Sequence, residues 1–198
     1  MKLSVLIPVY NQEVLIKQAL ESVPVSCEII VVDDGSTDGT MDTISKFRYE
    51  HPTADIKVFS NEVNSGVSVA LNKALDNATG DYVVILGSDD DFYTEEFERV
   101  MDEMDGTDLI YFDLRVNDGK IFHLSPETKR TFCGSVKLVR REFAGDIRNP
   151  EDVRAGEDWF FFKQLMAKNP TEKYTNIVAK HYNWPREGSL TATGGKVE

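Results

Sequence analysis

The sequence predicts an α/β fold: a doubly wound, mostly parallel sheet with helices on both faces and a small added hairpin. Three observations carry this. Short, near-continuous apolar runs recur through residues 1–86, as expected of strands buried on both faces. Between them, apolar residues fall at helical spacing. After residue 106 the alternation gives way to two strand-like segments around an Asn-Asp-Gly turn. Strands alternating with helices imply parallel pairing through crossovers, which have one preferred hand.

Residues 3–9 (LSVLIPV) form the first run, too short for an ordinary helix. Asn11 follows as a candidate N-cap, and Val14, Leu15, Ala19 and Leu20 share one face of the helix it would open. Residues 27–34 (CEIIVVDD) are rich in β-branched side chains and read as the second strand. GSTDGT is a turn with Ser36 as candidate cap, and Met41, Ile44 and Phe47 mark the next helix. Residues 55–60 (DIKVFS) give a third strand. Val67, Ala70, Leu71, Ala74, Leu75 and Ala78 then outline an amphipathic helix. Residues 80–86 (GDYVVIL) give the fourth strand, with Phe97, Val100, Met101 and Met104 in the helix after Thr94. Residues 108–116 and 120–124 flank Asn117-Asp118-Gly119 as a hairpin. Residues 126–156 read as irregular, 157–168 as a largely buried helix, 176–184 as a late strand and 185–198 as a polar tail.

Composition narrows the function. Hydrophobic residues make up 41% and charged residues 28% of the 198, enough for a real core in one domain. The formal net charge of -12 argues against nucleic acid as a partner, because phosphate neutralisation needs a basic face. An anionic ligand would need a cation or a few well-placed Arg and Lys residues. Cys27 and Cys133 form neither a disulfide framework nor a metal spacing. The N-terminal run reads as a strand rather than a cleavable leader, and no run is long enough to span a bilayer. A cytoplasmic location is expected, with peripheral contact at the inner face of a membrane left open.

In open α/β sheets, ligands bind at the carboxyl ends of the strands. Three polar groups fall there: Pro8-Val9-Tyr10-Asn11, Asp33-Asp34-Gly35-Ser36 and Gly87-Ser88-Asp89-Asp90-Asp91. One Asp per helix start would serve as a cap worth ~0.3–1 kcal/mol. Three adjacent carboxylates exceed that need, and their repulsion asks for a counter-charge. A divalent cation with oxygen ligands is the simplest one. Neither a dinucleotide fingerprint nor a P-loop is present.

The stretches SVLIPVYNQEVLIKQALESV, EIIVVDDGSTDGT, NEVNSGVSVALNKAL, GDYVVILGSDDDF and GEDWFF resemble, in order and rough spacing, those of the family 2 glycosyltransferases. The resemblance covers almost the whole chain and is weakest over 107–150. It implies the Rossmann-like GT-A fold and a nucleotide-sugar substrate. It also implies a nucleotide-binding half in 1–106 and an acceptor-binding, catalytic half in 107–198. Pro8, Tyr10 and Asn11 resemble the loop that packs on base and ribose. Asp34, with Asp33 beside it, resembles the carboxylate that accepts from the base, and Asn64 and Gly66 the turn bordering ribose and diphosphate. LGSDDD resembles the Asp-x-Asp metal motif, with Gly87 where an acid is common and Ser88 between. Asp89 and Asp90 are expected to take Mn²⁺ or Mg²⁺ and the ribose between them, which does which being left open, with Ser88 also against the substrate and Asp91 left as a cap for the next helix. GEDWFF implies Asp158 as the base that deprotonates the acceptor, Glu157 being the neighbouring alternative. Arg186 is the matching cation for the diphosphate.

The implied reaction is a metal-assisted, inverting transfer of a sugar from a nucleotide-diphosphate sugar, with a lean toward UDP. The acceptor would be a hydroxyl of a glycan, a glycolipid or another molecule. A protein that binds nucleotide sugars without transfer is the alternative. A sugar nucleotidyltransferase fits less well, since PVYNQE replaces the Gly-rich basic loop such enzymes carry. His51 reads as a surface residue, and His123 and His181 as structural; Trp159 and Trp184 read as core or pocket wall.

Overall fold

The structure is a computed structural model, described for residues 1–125, 135–152 and 156–185 apart from the side chain of Glu157. The first half runs β1 (Leu3–Val9), α1 (Ile16–Ser22), β2 (Glu28–Asp33), α2 (Thr40–Glu50), β3 (Asp55–Ser60), α3 (Val67–Asn77) and β4 (Tyr82–Ile85). Then follow β5 (Asp91–Phe92), α4 (Thr94–Met101), β6 (Leu109–Val116), β7 (Ile121–Phe122), β8 (Lys137–Arg140), α5 (Arg141–Ala144), α6 (Glu157–Ala167) and β9 (Glu172–Tyr182).

These strands make one sheet in the order β3-β2-β1-β4-β8-β6-β9-β5, with β7 on β6. β1 pairs in parallel with β2 and β4, and β2 with β3. Odd positions of β1 (Val5, Ile7, Val9) pack with Ile16, Leu20, Ile44, Phe47 and Phe97, under α1, α2 and α4. Leu6 points the other way, to the face covered by Ala70 and Ala74 of α3 and Phe161, Phe162 and Leu165 of α6. Cover on both faces explains why these strands carry unbroken apolar runs.

Five expectations need correction. β8 falls inside the stretch read as irregular, yet it lies in the middle of the sheet, antiparallel to both β4 and β6. Its Lys137 is 2% exposed, with Nζ 5.0 Å from the centre of the Phe162 ring, so a residue that looks polar is a core strand position. Asp91 is not a cap but half of β5, in register with His181 of β9. Asn11 has φ 49° and precedes α1 by a full turn, so it does not cap that helix. Ser36 does not cap α2, which is preceded directly by Gly39. The late strand is also longer than expected, beginning at Glu172. The hairpin forms where expected, with β6 and β7 antiparallel around 117–120.

Topology fixes which loops share an edge. The parallel strands β1 to β4 deliver 10–15, 34–39, 61–66 and 86–90 to their carboxyl ends. β9 runs parallel to β6, which is antiparallel to β8 and so parallel to β4. α6 leads into the start of β9, and Lys168 at its end donates to the Phe143 carbonyl of α5, beside Asp81 at the start of β4. The N-terminal end of α6, with Gly156 and Asp158, therefore lies toward the carboxyl edge.

Candidate active site

At that edge the first two loops are sewn together. The Asn11 N–H donates to Ser36 Oγ at 2.9 Å, and Asn11 Oδ1 accepts from the Thr37 N–H at 2.8 Å. Glu13 Oε2 accepts from the Gly39 N–H at 2.8 Å, and the Gln12 N–H donates to Thr40 Oγ1 at 2.8 Å. Asn11 thus spends its side chain on the neighbouring turn, which explains its left-handed backbone. Tyr10 stands on this braced loop with 37% of its surface exposed, next to half-buried Pro8.

Asp33 and Asp34 are both buried. Asp33 accepts from the Ser36 N–H at 3.2 Å, closing the turn after β2. Asp34 reaches the loop after β3: Oδ1 accepts from Asn61 Nδ2 at 2.8 Å and the Ser65 N–H at 3.0 Å, and Oδ2 from the Gly66 N–H at 2.7 Å. Gly66 has φ 97° and sits immediately before α3, a conformation that side chains rarely adopt. The carboxylate therefore fixes the turn that carries Asn64 and Gly66. Three of its roughly four acceptor sites are used.

The three Asp residues that follow Ser88 separate by environment. Asp90 is 4% exposed and forms an ion pair with fully buried Lys180, Nζ to Oδ2 at 2.8 Å. Asp90 Oδ1 accepts from the Asn183 N–H at 3.0 Å, and Lys180 Nζ also reaches Ser135 Oγ at 2.6 Å. Burial pushes the Asp90 carboxyl up, the Lys180 ammonium opposes this, and the adjacent Asp89 adds to the rise. Asp91 Oδ1 accepts from Gln18 Nε2 at 2.8 Å and lies 2.9 Å from His181 Nδ1. Asp89 is half-buried and Ser88 buried.

Of the two expected metal ligands, Asp90 has both oxygens engaged by protein donors and is buried, whereas Asp89 is half-buried at the strand edge. The described residues contain no cluster of three or more His, Cys, Asp or Glu arranged for a metal. A cation shared with a ligand needs less, because Mg²⁺ is commonly held by one or two carboxylates plus substrate phosphates. Asp89 at the strand edge fits that donor set.

Asp158 is in the first turn of α6, half-buried, with Oδ1 accepting from the Trp159 N–H at 2.8 Å. The Glu157 side chain and Arg186 lie outside the described residues. Among the described residues no hydrogen bond joins Asp158 to the other groups at the edge. Lys180, Asn61, Ser65 and Asn183 were not anticipated. Lys180 left a trace, as a charge closing the apolar run 177–179, and Asn61 and Ser65 lie in the stretch NEVNSGVSVALNKAL that carries the resemblance. Trp184 packs against the core, whereas Trp159 is 40% exposed. Exposed His51 stacks on Phe47, and His123 Nδ1 lies 2.7 Å from fully buried Asp113.

The mixed α/β sheet, covered by helices on both faces, thus carries buried acids and an exposed tyrosine at its carboxyl edge. The chain belongs to glycosyl transferase family 2, whose family model matches residues 4–165. It is 33% identical to the Bacillus subtilis protein named "Putative teichuronic acid biosynthesis glycosyltransferase TuaG", over 90% of this chain and 77% of that protein. It is 28% identical to an uncharacterized glycosyltransferase of Rickettsia felis over 85% of this chain but only 31% of the relative. The S. aureus TarS structure (residues 1–349, with UDP-GlcNAc) superposes with a TM-score of 0.83 at 25% identity, covering 98% of this chain and 61% of that one. The chain thus spans between 31% and 77% of the lengths of these relatives, and the GT-A fold is common to it and TarS.

Proposed function

We propose that the domain transfers a sugar from a nucleotide-diphosphate sugar, with UDP as the nucleotide, to an acceptor hydroxyl in one inverting displacement. The observation that carries the reading is the gathering of the Tyr10, Asp34, Gly66 and Asp89 loops and the α6 N-terminus at one sheet edge. The family and the UDP-GlcNAc bound in the TarS structure support it.

Tyr10 offers an exposed ring face to the base, with Pro8 and Asn11 beside it. Asp34 acts mainly by holding the Asn64–Gly66 turn, which leaves one acceptor site for the base. The turn leads into α3, an 11-residue helix whose positive end suits a phosphate. A divalent cation held by Asp89 and the donor phosphates would supply Lewis-acid stabilisation of the departing diphosphate. Arg186 is assigned to the same phosphates. Asp158 takes the acceptor proton as the hydroxyl attacks, and the Trp159 N–H orients its carboxylate. A single base on the acceptor side requires no covalent intermediate.

The test is a panel of nucleotide sugars, with and without Mn²⁺, read by thermal shift and by release of free nucleotide. A UDP-sugar is expected to raise the transition, since a native-state ligand stabilises by mass action. Asp158→Asn should then lower turnover by ~10²–10⁴-fold with donor binding retained. A panel without any shift would overturn the reading. Shift without turnover in the presence of acceptor glycans would leave a sugar-nucleotide binder.

A further inference from the structure

A cavity of about 260 Å³ lies between α4, β9 and the end of β6. Its wall includes Tyr93, Glu96, Arg99, Arg115 and Asn176. The Arg115 guanidinium carbon is 5.7 Å from the centre of the Tyr93 ring. The arginine ion pairs among the described residues belong to Arg140 and Arg148, so Arg99 and Arg115 reach this cavity with no carboxylate of the described residues within pairing distance. Among the described residues Glu96 is the one acid on the wall, which leaves them an excess of one positive charge in a chain of net charge -12.

The backbone here is shaped as well. Between the Tyr111–Tyr174 and Asp113–Val178 pairs, β9 carries two more residues than β6, and Asn176 in this bulge has φ 54°. Bulges re-aim side chains, commonly beside functional sites. The Tyr93 N–H donates to the Ala179 carbonyl at 3.0 Å, fixing the tyrosine to the same strand that carries Lys180.

The wall chemistry is mixed in a specific way. Guanidinium forks match carboxylate or phosphate oxygens. An aromatic face suits the C–H side of a sugar ring. Glu96 and Asn176 can bond hydroxyls. The volume lies just under the ~300–1,000 Å³ of drug-sized sites, which suits one monosaccharide unit. We propose that this cavity binds an acidic sugar unit, one bearing a carboxylate or a phosphate, through residues other than those assigned to the donor. It is independent of the transfer reading, because it is read by binding alone.

The experiment titrates the intact chain with glucuronate, glucose 6-phosphate, inorganic phosphate and glucose, followed by amide NMR. Glucuronate or glucose 6-phosphate should move the resonances of Tyr93, Arg99, Arg115 and Asn176, and the stronger of the two identifies the acid. Arg115→Ala and Arg99→Ala should each weaken that binding by about tenfold or more, as expected for a lost charge-assisted bond. Arg115→Lys should lose less. Both arginines are exposed, so the variants should keep the wild-type melting transition and UDP affinity. Three results overturn the proposal: no shift with either acidic sugar, binding unchanged in both variants, or glucose bound equally well. Inorganic phosphate bound as tightly as the acidic sugars also overturns it, as an adventitious ion only.

Discussion

Gly87 stands at the end of β4, where the family resemblance expects an acid. A Cβ there would lie 2.9 Å from Asp90 Oδ2 and 3.0 Å from Asp89 Oδ1. Asp90 has little room to yield, because Lys180 and the Asn183 N–H hold its carboxylate. The missing side chain therefore lets two carboxylates pack against the strand end. Gly87→Ala should cost about 1–3 kcal/mol, the usual range for overpacking, read as a lower denaturant midpoint. Gly87→Asp should cost more by adding a third charge, and a midpoint unchanged in Gly87→Ala would contradict the packing argument. The need for a counter-charge at Asp89–Asp91 was legible from repulsion alone. The identity of Asp90's cation was not, because Lys180 is 90 positions away and only the sheet brings it close. Asp34 was legible as a site residue, but its bonds to Asn61, Ser65 and Gly66 depend on a loop from another strand.

At the level of elements, β9 does more than close the sheet. It pairs with β6 and β5 and delivers Lys180 to Asp90, His181 to Asp91 and the Asn183 N–H to Asp90. Removing one partner of a buried ion pair leaves an uncompensated charge, at about 3–5 kcal/mol. Lys180→Met should lower stability by that order in chemical denaturation, and Lys180→Met with Asp90→Asn should recover part of it. Equal stability of the single and double variants would show that the pair is not coupled. The first-half elements were legible because apolar runs and helical spacing are local signals. β8 was not, since four residues flanked by Arg and carrying a buried Lys show no period. β5 was not, since two residues become a strand only by pairing with β9.

Over the whole molecule, the parallel half is pinned by one buried acid. Glu28, 0% exposed at the start of β2, accepts from Ser4 Oγ of β1 at 2.5 Å, Lys57 Nζ of β3 at 2.6 Å, and the Thr79 N–H and hydroxyl at 2.8 and 2.7 Å. Burial alone would raise its pKa, but the Lys57, Ser4 and Thr79 donors outweigh it and bring the carboxyl from 4.5 to about 2. The folded state thus releases this proton more readily than the unfolded one. Its stabilisation is complete above the ordinary value and is lost as pH falls from about 4.5 toward about 2. Urea midpoints measured down that interval should decline, and Glu28→Gln should be less stable at neutral pH with a flatter acid limb. A parallel acid decline in both proteins would assign the loss to other groups.

The central claim is that the carboxyl edge binds a nucleoside diphosphate together with a cation at Asp89, while Asp90 is committed to Lys180. Calorimetric titration of UDP into the intact chain tests this most directly, in Mn²⁺ and in chelator, for wild type, Asp89→Asn and Asp90→Asn. The account predicts that UDP binds wild type more tightly with Mn²⁺, and that Asp89→Asn removes the difference without lowering the melting transition. Asp90→Asn should instead lower the transition, by breaking the pair with Lys180. UDP affinity that is equal with and without the metal, or a metal effect that survives Asp89→Asn, would contradict it.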